Sequence, residues 1–217
     1  MLQIENLSFA YQEDKIIIDK LKLFVGKGEM VVITGKSGSG KTTLCEILSR
    51  RLKPQSGDIV FDKQNMNNLV DYEYFSKVHI LKQNPHHNFI GLNPERDFLL
   101  WNDADKLESY YDLLKRYALF DKKDELLWKM SFGEQKCLFF IYLELIKRPL
   151  WILDEPLEGV DISRRELFLK ACKTHIASGG SALISSHRVE QFEELSSQVI
   201  NFEKHQLNRE VEHEENN

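Results

Sequence analysis

Apolar positions along this chain switch between a period of two and a period near 3.6, and the switches mark out its elements. Residues 2–4, 7–9, 16–18 and 21–24 are short strand-like runs, with a polar turn predicted at 12–14. Gly26 and Gly28 punctuate the approach to residues 30–34, which are apolar on both faces, as a buried central strand requires. A glycine-rich loop follows at 35–42, and helical spacing from Thr43 to Leu52 ends before Pro54. Further strands are predicted at 56–61 and 77–82, the latter stopping at Gln83-Asn84-Pro85. From there to Lys129 the pattern is helical and polar, with Tyr110, Leu113, Leu114, Tyr117 and Ala118 on one face.

Ser131 reads as an N-cap for a helix through Leu145, and Pro149 separates that helix from a buried strand at 150–153 ending in Asp154-Glu155. A helix at 163–177, a strand at 182–185, a short helix near 189–195 and a strand at 199–202 complete an alternating order. That order predicts an α/β fold with a mostly parallel sheet. The length of 217 residues suits one domain, placed at 1–207, with a smaller helical subdomain at about 84–148. Residues 208–217 are acidic, lack apolar periodicity and are expected to be disordered.

Composition narrows the function. With 42% hydrophobic and 29% charged residues the chain is globular in type, and a formal net charge of −5 gives no reason to expect nucleic acid as a partner. No apolar run approaches the ~20 residues needed to span a bilayer, so a membrane role would act through other subunits. Cys45, Cys137 and Cys172 are widely spaced, form no metal-type pair and read as buried spectators in a reducing, cytoplasmic setting.

The chemistry is concentrated in a few segments. Gly35-Lys36-Ser37-Gly38-Ser39-Gly40-Lys41-Thr42, followed by Thr43, matches G-x-x-x-x-G-K-S/T. Its glycines let backbone N–H groups curl around phosphates, Lys41 reaches the β- and γ-phosphates, and Thr42 offers a hydroxyl to Mg²⁺. The pattern arises by chance in about one chain of this length in a hundred, before a preceding strand and following helix are required. Asp154, at the carboxyl end of a buried strand, is placed to hold Mg²⁺, and Glu155 to orient or deprotonate an attacking water. Ser131 and the N–H groups after it form an anion-accepting helix start, a signal weak by itself.

Taken together and in this order, these segments resemble the ABC (ATP-binding cassette) ATPase family over roughly residues 2–202. The resemblance implies a P-loop cassette with a central mostly parallel sheet, an N-terminal antiparallel β subdomain and a small helical subdomain. It implies that Tyr11, 24 residues before Gly35, stacks on adenine, that Gln83 senses Mg²⁺ and the attacking water, and that His187 contacts the γ-phosphate. Met130-Ser131-Phe132-Gly133-Glu134-Gln135 stands where the family has its signature segment, with Phe132 replacing the first glycine. There Ser131, Gly133 and Gln135 would contact a nucleotide held by a second subunit, and Asp161 lies in the loop that crosses to it. The other six histidines, among them His86, His87 and His213, are read as solvated.

A chain with one phosphate loop and one signature segment needs a second ABC ATPase subunit to complete each site. Intact Glu155 and His187 beside the irregular Phe132 favour a heterodimer with unequal sites over a homodimer. The resemblance also implies integral membrane transporter subunits contacted near Gln83, and a place on the cytoplasmic face of the cell membrane. Gln83-Asn84-Pro85 with the downstream Glu95-Arg96-Asp97-Phe98 resembles the energy-coupling factor and cobalt-type importer ATPases, which points to uptake of a vitamin or metal ion. The alternatives are a soluble ABC ATPase of DNA maintenance or translation, and a poorly hydrolysing regulatory half of a pair.

Overall fold

The computed structural model describes residues 2–12, 15–101 and 104–203; the acidic segment 208–217 lies outside them. Two sheets carry the fold. The first is antiparallel, in the order β2-β1-β4-β5, built from β1 (Leu2–Gln12), β2 (Lys15–Val25), β4 (Ser56–Phe61) and the short β5 (Gln64–Asn65). The second is parallel, in the order β6-β7-β8-β3-β9, from β3 (Met30–Thr34), β6 (Val78–Leu81), β7 (Leu150–Asp154), β8 (Ser181–Ser185) and β9 (Gln198–Asn201). Helices α1 (Lys41–Leu48), α2 (Asp71–Phe75), α3 (Pro94–Trp101), α4 (Leu107–Arg116), α5 (Phe132–Leu145) and α6 (Ile162–Ala177) complete it.

The parallel sheet separates two apolar cores, and its strands alternate between them. Met30, Val32, Trp151, Leu153, Ala182 and Ile184 face the core shared with α4, α5 and α6. Val31, Ile33, Leu150, Ile152 and Leu183 face the core built with α1 and the antiparallel sheet. Every residue of β7 and β8 is buried, which is why their interiors, residues 150–153 and 182–184, are apolar on both faces, with the polar residues Asp154, Ser181 and Ser185 at the strand ends.

The first four expected strands are in fact two long ones. In β1 the buried side chains run Leu2, Ile4, then Leu7, Phe9, so the inward parity changes once, and the pairing slips between Ile4 and Leu7. Asn6, at φ 49°, absorbs the extra residue as a bulge. Lys20, at φ 45°, does the same between Ile18 and Leu21 of β2. The polar residues at the parity change read as breaks because a bulge and a strand end look alike in sequence.

Helix α4 buries Tyr110 and Leu114, with Tyr117 just beyond its end, but Ala118 is exposed. Ala118 takes a left-handed conformation, φ 51°, and turns the chain so that Leu119 enters the core in its place. All three cysteines are buried thiols.

The histidines depart most from expectation. His79 on β6 is 3% exposed, its Nε2 donating to the Ile146 carbonyl at 2.5 Å, and His175 stacks on Trp151 with ring centroids 3.8 Å apart. His86 packs edge-on against Phe132. A lone histidine in a strand is indistinguishable from a surface residue until its neighbours are known. Burial lowers the His79 pKa to about 3, with the Arg148 cation adding to the effect. The unfolded chain therefore binds a proton below pH 6.5 that the folded chain refuses, and stability falls with pH by about 1.4 kcal/mol per unit from this group between 6.5 and 3. Denaturant titrations at pH 5.0 and 6.5 are expected to show that slope, and His79→Phe to flatten it.

Candidate functional site

The phosphate loop connects β3 to α1, and its conformation demands glycine at the turns. Gly35, Gly38 and Gly40 have φ of 147°, 86° and 101°. A Cβ at Gly40 would in addition lie 3.2 Å from Ile17 and from the Phe202 ring. Gly40 is the N-cap of α1 and brings no capping side chain, so the first N–H groups of that helix have no side-chain acceptor. Lys41 folds back, its ammonium donating to the carbonyls of Gly35 at 2.6 Å and Lys36 at 3.1 Å. Burial pulls its pKa down, while the nearby carboxylates of Glu155, Asp154 and Glu203 oppose this.

Across from the loop, β7 delivers Asp154 and Glu155. Asp154 is 1% exposed and accepts hydrogen bonds from the Ser185 hydroxyl on β8 and from Thr42. Burial raises its pKa, and those two donors with Lys41 work against the rise. Glu155 has a left-handed backbone, φ 46°, which costs a residue with a side chain about 1–2 kcal/mol. Its N–H donates to both the carbonyl and the hydroxyl of Ser185, each at 3.1 Å. Its carboxylate Oε2 accepts from the His187 N–H at 3.4 Å, and Oε1 lies 3.3 Å from His187 Nε2, within ion-pair range though poorly aligned for a hydrogen bond. Burial raises the Glu155 pKa, His187 opposing.

Gly38, Gly40, Lys41, Thr42, Asp154, Glu155 and His187 line one cleft of about 500 Å³, together with Tyr11, Ser37, Thr43, Gln83 and Ile17. Tyr11 stands exposed at its rim, its hydroxyl 3.3 Å from Thr43 Oγ1 and its ring edge-on to Phe9. Gly35, Lys36 and Ser39 belong to the loop but not to the cleft lining. The cleft thus gathers residues from β1, β2, the phosphate loop, α1, and the ends of β6, β7 and β8.

Ser131 and Gly133 lie apart from this cleft, at the start of α5. Ser131 caps α5 in a reciprocal pair with Glu134, whose carboxylate also takes a 2.6 Å contact from Lys122. A Cβ on Gly133 would lie 2.1 Å from the Gly159 carbonyl, so only glycine fits. Phe132 is 53% exposed. Gln135 departs from the nucleotide-contact role: it is fully buried, and its amide donates to the carbonyls of Leu127 at 2.7 Å and Met130 at 3.1 Å. It ties the preceding loop to the helix, and it has no surface to offer a ligand. Asp161 caps α6, accepting from the Arg164 N–H at 3.1 Å.

Three contributors escaped the sequence reading. Ser185 serves both acids, yet serine at a strand end carries no signal in sequence. Lys136 is 2% exposed and donates to the carbonyls of Glu155 at 2.6 Å and Glu158 at 2.9 Å; burial pulls its pKa down. Glu203 accepts from the Lys36 N–H, and its other oxygen is 3.6 Å from the Lys36 ammonium.

The model of the ABC transporter family matches residues 18–158. The chain belongs to that family. It is an ABC transporter ATP-binding subunit and an ATPase. It is 31% identical over 209 residues to the energy-coupling factor transporter ATP-binding protein EcfA1 of Fusobacterium nucleatum subsp. nucleatum, covering 92% of this chain and 78% of that protein. It is also 31% identical over 191 residues to the cytochrome c biogenesis ATP-binding export protein CcmA of Rhizobium etli, covering 86% and 88%. Among solved structures, an ATP-binding subunit of an ABC transporter superposes with a TM-score of 0.81 at 20% identity, over 93% of this chain and 86% of that one. A dimeric ABC cassette bound to ADP and phosphate gives 0.78, also at 20% identity, over 93% and 95%.

In this subunit Lys41→Ala removes the cation of the phosphate loop without touching either core. ATP affinity at this site is expected to fall by more than tenfold, the scale of one charge-assisted hydrogen bond, with an unchanged circular dichroism spectrum. Isothermal titration of ATP into both proteins checks it.

Proposed function

We propose that this chain hydrolyses ATP at the cleft beside the phosphate loop and drives an energy-coupling factor type importer of a vitamin or metal ion. The observation that carries the hydrolytic part is the convergence of Lys41, Thr42, Asp154, Glu155 and His187 on one cleft from separate strand ends. Tyr11 takes the adenine, the loop N–H groups from Ser37 to Thr43 take the phosphates, and Lys41 offsets charge on the β- and γ-phosphates. The buried Asp154 carboxylate, which accepts a hydrogen bond from the Thr42 hydroxyl, and the Gln83 amide are hard oxygen donors of the kind Mg²⁺ takes alongside phosphate oxygens and water. When bound, that ion supplies charge neutralisation at the phosphates.

Water attacks the γ-phosphorus in line, the bond to the ADP oxygen breaks, and ADP and phosphate result. Glu155 orients the water and draws its proton, with His187 beside the same carboxylate and facing the γ-phosphate. A second ABC ATPase subunit lays its signature helix over this nucleotide, while Ser131 and the backbone of Gly133 do the same for the partner's. Phe132 at that helix start supports a heterodimer with two unequal sites.

Two features support the transport assignment and its membrane partner. The relative at 31% identity over 92% of this chain is an energy-coupling factor protein, and the Gln83-Asn84-Pro85 segment with Glu95-Arg96-Asp97-Phe98 resembles that group. Beyond Gln83, an apolar surface is exposed by Ile90, Leu92, Leu99 and Leu100, with Asp97 buried beneath it. Asp97 Oδ1 accepts from the Ile90 and Gly91 N–H groups, each at 2.7 Å, and Oδ2 from the Tyr142 hydroxyl at 2.7 Å. So the loop is rigidly presented, as a docking surface for helices of a membrane subunit needs. Among the described residues no helix is long and apolar enough to cross a membrane; the place proposed for the chain is peripheral, on the cytoplasmic face, held there by its membrane subunits.

Copurification from gently solubilised membranes, followed by mass spectrometry, is expected to return a second ABC ATPase and polytopic membrane proteins of an importer. Export partners of cytochrome c biogenesis would replace the importer assignment with the one CcmA suggests, and soluble partners alone would end the transport reading. In the assembled complex, Glu155→Gln is expected to abolish turnover at this site, by about 10²-fold or more, while ATP still binds.

A further inference from the structure

Helix α5 begins with the signature segment, and one turn further in its Lys136 ammonium reaches the far side of the catalytic cleft. Among the described residues it makes no direct ion pair; it donates to two backbone carbonyls, those of Glu155 and Glu158. Burying an ammonium on carbonyl acceptors is costly, and the nearby carboxylates of Glu158, Glu155 and Asp154 offset only part of that cost, since its pKa is still pulled down by burial. What it holds is the one residue of the acid pair with a strained backbone. The Glu155 N–H is fixed by Ser185, the Glu155 carbonyl by Lys136, and the two together clamp the peptides on either side of its left-handed Cα. Gly133 adds a third point, seated against the Gly159 carbonyl. The first turns of α5 thus grip residues 155, 158 and 159 from one side.

We infer that Lys136 is a positioning residue for Glu155, holding its carboxylate toward the attacking water and tying its orientation to the seating of α5. The inference rests on the reading of Glu155 as the group that acts on that water. Relaxing the Glu155 backbone out of the left-handed region swings its carboxylate away from His187 without altering the phosphate loop. The nucleotide then binds as before and reacts slowly. A displacement of α5 when a second subunit engages its N-terminus acts on this chain's own Glu155 by the same route.

The test compares Lys136→Met, which keeps the stem but donates nothing, with Lys136→Gln, whose amide can reach one carbonyl, and with Glu155→Gln. All are measured in the assembled complex for kcat, KM and ATP affinity. Lys136→Met is expected to lower kcat by about 10²-fold, the scale of an ångström-sized misplacement, with KM and ATP affinity unchanged within about twofold. Lys136→Gln is expected to recover part of the loss. Wild-type kcat in Lys136→Met beside an inactive Glu155→Gln overturns the positioning role alone. Wild-type turnover in Glu155→Gln overturns the reading beneath it. Should Lys136→Met fail to fold, Lys136→Gln is compared with wild type: an intermediate kcat at constant KM supports the role, and equal falls in kcat and ATP affinity overturn it.

Discussion

Ser185 is the hinge point of the catalytic geometry. It is the last residue of β8, which lies between β3, the strand that feeds the phosphate loop, and β7, the strand that ends in the acid pair. In register it sits beside Ile33 on one side and Asp154 on the other. From there its hydroxyl donates to Asp154 while its oxygens accept the Glu155 N–H. Parallel pairing forces all three strands to end at the same edge, and with the helices packed on both faces that edge is where polar groups can gather. The two acids, the loop lysine and His187 are therefore close because the strands are in register.

The central sheet was legible because full burial leaves an unambiguous trace. Residues 30–33 and 150–153 are apolar at every position, and few other elements need that. The phosphate loop was legible for a related reason: positive φ at three places and close backbone packing leave glycine as the economical choice, and the spacing of those glycines is specific. Where one residue type serves several environments, sequence was mute. Glu5-Asn6 could be a strand break or a bulge, His79 a surface residue or a core donor, and Gln135 a ligand contact or an internal strut.

Lys136 and Ser185 show a different limit. Neither has a spacing that marks it, since what each does depends on a carbonyl or carboxylate more than fifteen residues away in the chain. The left-handed backbone at Glu155 is likewise invisible in the letters Asp-Glu-Pro. Strain of this kind is kept only by surroundings that over-determine it, so its supporters appear once the chain is folded.

The grip of Glu203 on the Lys36 N–H, with Phe202 against Gly40, fastens the end of the parallel sheet to the phosphate loop. Whatever follows residue 203 is thus covalently joined to a group that shapes nucleotide binding. Thermodynamic linkage makes that connection reciprocal. An event beyond this point that displaced Glu203 from the phosphate loop and so altered ATP affinity would itself be shifted by ATP by the same free energy.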